Sequence, residues 1–206
     1  MNSISDMTIE GFLSKVASDA PSPGGGAVAA LEVAQAAGLA AMAGRFSLGR
    51  GSIDTVAVTE LVAAADRLRD VSAPLADEDA SAYEGFLRAV RIPRDQDPAG
   101  RARAIREATD VAAEVPLATV EAAAEVVRLA ERLVAEGNPN LRGDAAAAAL
   151  LAAAAGTTAA IMVIENLAKM PDDPRIARAT RAAASAQAGA NRAVGHFPAV
   201  SAEVVS

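Results

Sequence analysis

The sequence predicts an all-α fold, and three observations carry that prediction. Apolar residues make up 52% of the chain while aromatics make up 2%, so the apolar mass is mostly alanine, valine and leucine. Alanine is the strongest helix former. Apolar positions recur at three- and four-residue spacing over long stretches, and no stretch alternates apolar and polar residues as a half-buried strand does. The expected architecture is a single-domain orthogonal helical bundle over residues 1–206, with long kinked helices. It is expected to dimerise, because small side chains bury little area per helix and a second copy completes the core.

A first helix is expected over Thr8–Ser18, where Ile9, Phe12, Leu13 and Val16 make one apolar face. The run Ala20-Pro21-Ser22-Pro23-Gly24-Gly25-Gly26-Ala27 follows. Its prolines fix an extended approach, and its glycines let the backbone come close to another group. The next helix, Gly26–Phe46, offers free N–H groups and the positive end of its dipole, so the run reads as a cradle for an anionic or polar group. A third helix is expected over Ile53–Val90, kinked or split at Pro74, and a fourth over Pro98–Ala135, with a second kink at Pro116. The turn Gly137-Asn138-Pro139-Asn140 leads into an apolar helix, Arg142–Met170, and a last helix spans Pro174–Val194 before Gly195 and Pro198.

Charge and residue inventory narrow the function. A net charge of −7 argues against broad nucleic-acid binding. The chain has no cysteine and one histidine, His196, so thiolate catalysis, zinc–sulfur sites and two-histidine metal motifs are excluded. His196 itself reads as a surface residue near a chain end. The first residues lack a basic-then-apolar leader pattern, and the expected location is cytoplasmic. Ala145–Ile164 carries no charge over roughly the 20 residues a membrane span needs. It is mostly alanine, however, with Gly156, Thr157 and Thr158 at its centre and acids at both flanks, and it reads better as a core helix buried on all sides.

Several polar residues stand out as chemistry. In Asp77-Glu78-Asp79 the three acids point in different directions, and Asp79 shares a helix side with Tyr83, four residues on. A carboxylate pressed against apolar groups is a general acid or base; the alternative is a solvated acidic patch. Asp144 begins the apolar helix, either as its N-cap or as a second proton carrier. Asn138 and Asn140 satisfy the turn or a ligand. Asn166 near the far end of that helix caps it or finds a partner. Arg45 and Arg50 bracket the end of the second helix, as dipole partners or as contacts to an acidic substrate. The glycine run is neither a P-loop nor a dinucleotide fingerprint, since no Gly-Lys-Ser/Thr and no strand context accompany it.

Taken in order, these landmarks resemble the formimidoyltetrahydrofolate cyclodeaminase/methenyltetrahydrofolate cyclohydrolase family. The matching stretches are Phe12-Leu13 with Ala20–Ala30, Asp77–Tyr83, Val115-Pro116-Leu117, Gly137–Asn140 with Asp144-Ala145, and Asn166–Lys169. The resemblance implies a dimer-forming all-α hydrolase or lyase that handles a one-carbon unit on tetrahydrofolate. The folate derivative would be the substrate, with no cofactor, metal, membrane or nucleic acid involved. It further implies Asp79 and Asp144 as proton carriers, and Ser22, Pro23, Gly24, Gly25, Gly26, Arg50, Tyr83, Asn138, Asn140 and Asn166 as substrate-binding residues. Members carry a lysine-rich stretch ending in tyrosine where this chain reads Phe46-Ser47-Leu48-Gly49-Arg50-Gly51-Ser52. Gly143 stands where serine is common, and Tyr83 where phenylalanine is usual. Two other readings stay open: the same fold opening or closing a C–N bond in a non-folate imine or amine, and a non-catalytic helical scaffold.

Overall fold

A computed structural model describes residues 3–199 apart from residue 96. Its elements are a short 3-10 turn Ile4–Asp6, α1 (Ile9–Val16), α2 (Gly25–Arg45), α3 (Thr55–Ser72), α4 (Leu75–Val90) and α5 (Pro98–Glu136), then a second 3-10 turn Pro139–Leu141, α6 (Arg142–Asn166) and α7 (Pro174–Gly195). There is no strand among the described residues. α6 lies at the centre, packed on α5, α2 and α7, while α4 bridges α2 and the first half of α5.

Alanine spacing explains the centre. Ala145, Ala148, Ala152, Ala155 and Ala159 of α6 are buried at three- and four-residue intervals. They lie in one core with the larger Leu117, Val120, Val127 and Val134 of α5, which help fill the space that small residues leave. At Gly156 an added Cβ would sit 3.0 Å from the Ala123 Cβ, so glycine sets how closely α5 and α6 approach.

Several expectations change. Of the two outcomes open at Pro74, the chain takes the split: Pro74 has no N–H to continue α3, and it begins α4 instead. α6 ends at Asn166 rather than Met170. It is also not buried on all sides, since Leu150, Leu151, Ile161 and Ile164 face outward. Gly25–Arg45 and Pro139–Asn166 are long and apolar enough to cross a membrane by length and composition, and each has half or more of its apolar window buried in this fold. In α1 the periodic face stays largely uncovered, with Ile9 80% and Leu13 60% exposed. Of the four, Phe12 packs inward, against a small cluster of Ile4, Ala27, Ala30, Ala76 and Ala80.

α5 runs through Pro116 without a break. A helical N–H bonds to the carbonyl four residues earlier, so Pro116 leaves the Ala112 carbonyl without its usual donor. The Asn166 amide Nδ2 donates to that carbonyl at 2.6 Å. The last residue of α6 thus repairs the proline gap in α5. Asn166→Ala should cost about 1 kcal/mol in urea unfolding, and the cost should vanish in a Pro116→Ala background, where the backbone N–H returns. An equal cost in both backgrounds would contradict this pairing.

Arg175 fastens α7 to α5. Its side chain is 14% exposed and donates to Asp173 at 2.7 and 2.9 Å, to Asp110 at 2.8 Å and to Glu114 at 3.1 Å. The hydrogen bonds from Arg175 hold the Asp173 carboxyl down to about 2. A depressed carboxyl stabilises the fold above its unfolded value and stops doing so as pH falls through the folded one. Arg175→Met should therefore lower Tm at pH 7, and its gap to the wild type should narrow as pH falls from about 4 towards 2. A gap independent of pH would show that packing alone accounts for the loss.

Candidate active site

Asp79 is the centre of the site. The prolines deliver the chain to Gly24, which has no side chain to cap α2, and the first N–H groups of α2 are left open. The Asp79 carboxylate, carried by α4, enters this space and accepts a hydrogen bond from the Ala27 N–H. A Cβ on Gly26 would lie 2.1 Å from Asp79 Oδ1, 2.6 Å from Cγ and 2.8 Å from Oδ2. The third glycine is there because the carboxylate occupies the volume of a side chain. The cradle read from the sequence therefore holds an anion of the chain's own. Burial pushes the Asp79 carboxyl above its usual range, and the Ala27 bond offsets only part of that rise.

The neighbouring acid does something else. Asp77 accepts bonds from the Ile4 N–H at 2.6 Å, from Ser3 Oγ at 2.6 Å and from Ser5 Oγ at 3.3 Å. Despite its burial, those bonds hold its carboxyl below the usual range. Asp77 is thus a tether for the N-terminal turn, and Asp79 is the acid of the run with a raised proton affinity.

Around Asp79 the structure gathers part of the expected set. Tyr83 lies one turn further on the same side of α4, and Gly25 faces α6, where a Cβ added to it would lie 3.8 Å from Met162 Sδ and 3.9 Å from Thr158 Cγ2. No Cβ contact exists within 4 Å of Gly24, so the space beside it is open; Ser22 and Pro23 lead into it, joined by a cis peptide bond. Thr158 and Met162 were not legible as site residues, because they sit in an uncharged run that reads as core. Glu32 was missed too. It stands two turns along α2 from Gly25, half-buried and, among the described residues, without a side-chain hydrogen bond or ion pair, and burial pushes its carboxyl up.

Asn166 ends α6 four residues beyond Met162, with its amide donated to the Ala112 carbonyl, whereas Asn138, Asn140, Arg50 and Asp144 lie at the other end of α6. Asn138 is 3% exposed: its N–H donates to Ser47 Oγ and its Nδ2 to the Phe46 carbonyl, both at 2.9 Å, while its Oδ1 accepts from the Asn140 N–H. Ser52 and Ile53 donate to the Glu136 carbonyl. These bonds pin the 46–53 loop, with exposed Arg50 on it, against the turn that starts α6. Arg45 is paired with Asp66 at 2.6 Å rather than turned to a substrate. Asp144 is not the N-cap: α6 starts at Arg142 after Leu141, with no side-chain cap, and Asp144 lies in the first turn. It is 18 residues from Met162, or ~27 Å along one helix. Within one chain Asp79 and Asp144 therefore do not share a pocket.

A cavity of about 720 Å³ opens between α4 and α5, lined among others by Glu78, Arg88, Glu107 and Val111. It lies on the far side of α4 and excludes Asp79. His196 is exposed at the end of α7. Among the described residues no three His, Cys, Asp or Glu side chains come together to hold a metal ion.

Comparison with known proteins bears on the family and the fold. A family model described as Formiminotransferase-cyclodeaminase matches residues 8–186. The methenyltetrahydrofolate cyclohydrolase of Methylorubrum extorquens is 36% identical over 142 residues, which is 67% of this chain and 68% of that protein. The formimidoyltransferase-cyclodeaminase of Sus scrofa is 31% identical over 166 residues, or 79% of this chain and 31% of that protein. This chain thus matches less than a third of the pig enzyme's length. A crystal structure of formiminotetrahydrofolate cyclodeaminase from Thermotoga maritima superposes with a TM-score of 0.85 at 25% identity, covering 96% of this chain and 98% of that one.

Proposed function

The chain belongs to the formiminotransferase-cyclodeaminase family, and from that premise we propose that it is a folate one-carbon enzyme that uses Asp79 as its proton carrier. The activity is cyclohydrolase or cyclodeaminase in type, on a one-carbon unit bound to tetrahydrofolate. The observation that carries the reading is the seat of Asp79: a half-buried carboxylate with no cationic partner among the described residues, held by one backbone N–H over glycine.

Such a group suits both directions of the chemistry. In ring opening, water bonds to the cationic carbon between two nitrogens, and one water proton passes to the carboxylate. The C–N bond then breaks as the leaving ring nitrogen takes that proton back and the remaining hydroxyl proton goes to solvent. In ring closure the amine attacks the formimidoyl carbon, its own proton passes to the imino nitrogen, and ammonia leaves after receiving a second proton from the acid, so that the cationic ring remains. A carboxyl with raised proton affinity is matched to giving and taking a proton near neutrality, and its negative form stabilises the cationic ring. These steps need no group beyond side chains and water. The chain acts as a homodimer.

Methenyltetrahydrofolate incubated with the purified protein should lose its ultraviolet absorption band faster than in buffer, or formimidoyltetrahydrofolate should release ammonia. Rates equal to buffer in both assays would remove the folate reading. Turnover of a non-folate amidine would then favour the same fold on another substrate.

A further inference from the structure

We propose that the trough between α4 and α5 is a second binding site, and that it takes a small linear amine, with the ammonium at Glu78 and the apolar chain along the floor. The site lies apart from Asp79 and does not rest on the folate reading.

The first observation is how the trough arises. Each wall carries small residues at three- and four-residue spacing: Ala82, Gly85 and Ala89 on α4, and Ala104 and Ala108 on α5. Between α5 and α6, small residues draw the helices together until a Cβ on Gly156 would come within 3.0 Å of Ala123. Between α4 and α5 the helices stand apart instead, and a cavity of about 720 Å³ stays open. Wall atoms without opposite neighbours forgo their dispersion contacts until something fills the gap. The volume suits a small molecule, and Val111, 55% exposed, offers it further apolar surface.

The second is the placement of charge along the trough. Arg101 donates to the Val90 and Ile92 carbonyls at 3.1 and 2.9 Å. That contact sets α5 antiparallel to α4 and brings Glu107, six residues on, level with Gly85. Glu78 stands seven residues from Gly85 along α4, ~10 Å away. Arg88 is the cation of the lining. Its Nη2 would lie 3.7 Å from a Cβ on Gly85, and its Nη1 turns to Glu84 at 3.8 Å. The guanidinium therefore stands at the level of Glu107 and Glu84. Glu78 borders the trough near its other end and, among the described residues, has neither an ion pair nor a side-chain hydrogen bond.

An apolar trough with an unpaired carboxylate near one end is complementary to an apolar chain with a cation at one end. An ammonium has three donors. Glu78 and Ser81, three residues apart on one side of α4, offer it two acceptors, and water takes the third donor. A six-carbon chain then lies over Ala82 and reaches Gly85, matching the ~10 Å between the two levels. A carboxylate ligand would face Glu78 as a like charge, and could reach Arg88 only in competition with Glu84.

The probe is n-hexylammonium, titrated into the nitrogen-15-labelled protein at neutral pH, with hexanoate and 1-hexanol in parallel. Saturable amide shifts confined to residues 78–92 and 104–115 are expected. Hexylammonium should bind about tenfold more tightly than either control, the contribution of one charged hydrogen bond. Glu78→Gln should remove that preference, while Glu107→Gln should keep it. Gly85→Leu should abolish the shifts, because its side chain fills the floor. Leucine is a better helix former than glycine, so the variant's own amide spectrum should show the fold intact. Shifts that do not saturate, that lie outside the trough or that survive Gly85→Leu would overturn the site. Hexanoate bound as tightly as the amine, or a preference that outlasts Glu78→Gln, would overturn the assignment of its ligand.

Discussion

Asp79→Asn should lower turnover by roughly 10²–10⁴-fold, the usual contribution of a positioned general acid or base, without destabilising the protein. Its stability follows from the sign of the proton affinity. The folded carboxyl binds its proton more tightly than the unfolded one. This group therefore contributes most below the unfolded value near 3.8, and its contribution falls as pH rises through the raised folded value. At pH 7 the ionised carboxylate is a burden on the fold. Asparagine removes the charge and keeps an oxygen to accept from the Ala27 N–H. The variant should melt at or above the wild-type temperature at pH 7, with the difference disappearing below about pH 4. Scanning calorimetry at both pH values, beside the ultraviolet assay, checks it. A variant that loses activity and several degrees of Tm together would mark Asp79 as a structural acid.

Gly26→Ala should damage the site directly, because its methyl collides with the catalytic acid. The new Cβ would fall within 2.8 Å of three atoms of the Asp79 side chain, so rotating the carboxylate about its own bond does not clear it. The side chain has to swing out, abandoning the Ala27 N–H. Overpacking of this kind costs about 1–3 kcal/mol, while alanine's better helix propensity offsets a part. Activity should fall as far as in Asp79→Asn. The diagnostic is the double variant: Gly26→Ala with Asp79→Ala should recover Tm and remain inactive, since the clash partner is gone along with the catalytic group. Were Tm to drop equally with and without the Asp79 side chain, the glycine would be serving backbone conformation instead.

Much of this molecule is legible in its residues, and the exceptions share a cause. Helix order follows from alanine-rich periodic runs punctuated by Pro74, Pro98, Gly137 and Pro174, because those signals are local. The proline-glycine run is visible for the same reason, but its occupant is not: Asp79 lies more than fifty residues away, and nothing nearby says that a carboxylate fills the space over Gly26. Within Asp77-Glu78-Asp79 the division of labour depends on Ser3 and Ser5 reaching Asp77, a contact across the chain. Asp144 looks like a cap because an acid near a helix start usually is one. The 3-10 turn Pro139–Leu141 starts the helix earlier and leaves Asp144 in its first turn, where a negative charge still favours the dipole. Asn138 reads as satisfying the turn or a ligand, and its part in pinning the 46–53 loop is not legible, since burial is not encoded in an Asn-Pro-Asn turn. The outward strip of α6 reads as core because leucine and isoleucine carry no mark of which side of a helix they occupy.

The bond from Asn166 to the Ala112 carbonyl also constrains how this protein can change over time. With Pro116 present, loss of the Asn166 amide strands a carbonyl inside the longest helix. With Pro116 already replaced, the same loss is nearly silent. The two substitutions therefore have a preferred order, proline first and asparagine second. A lineage that keeps the proline is held to the asparagine whatever substrate its active site comes to accept.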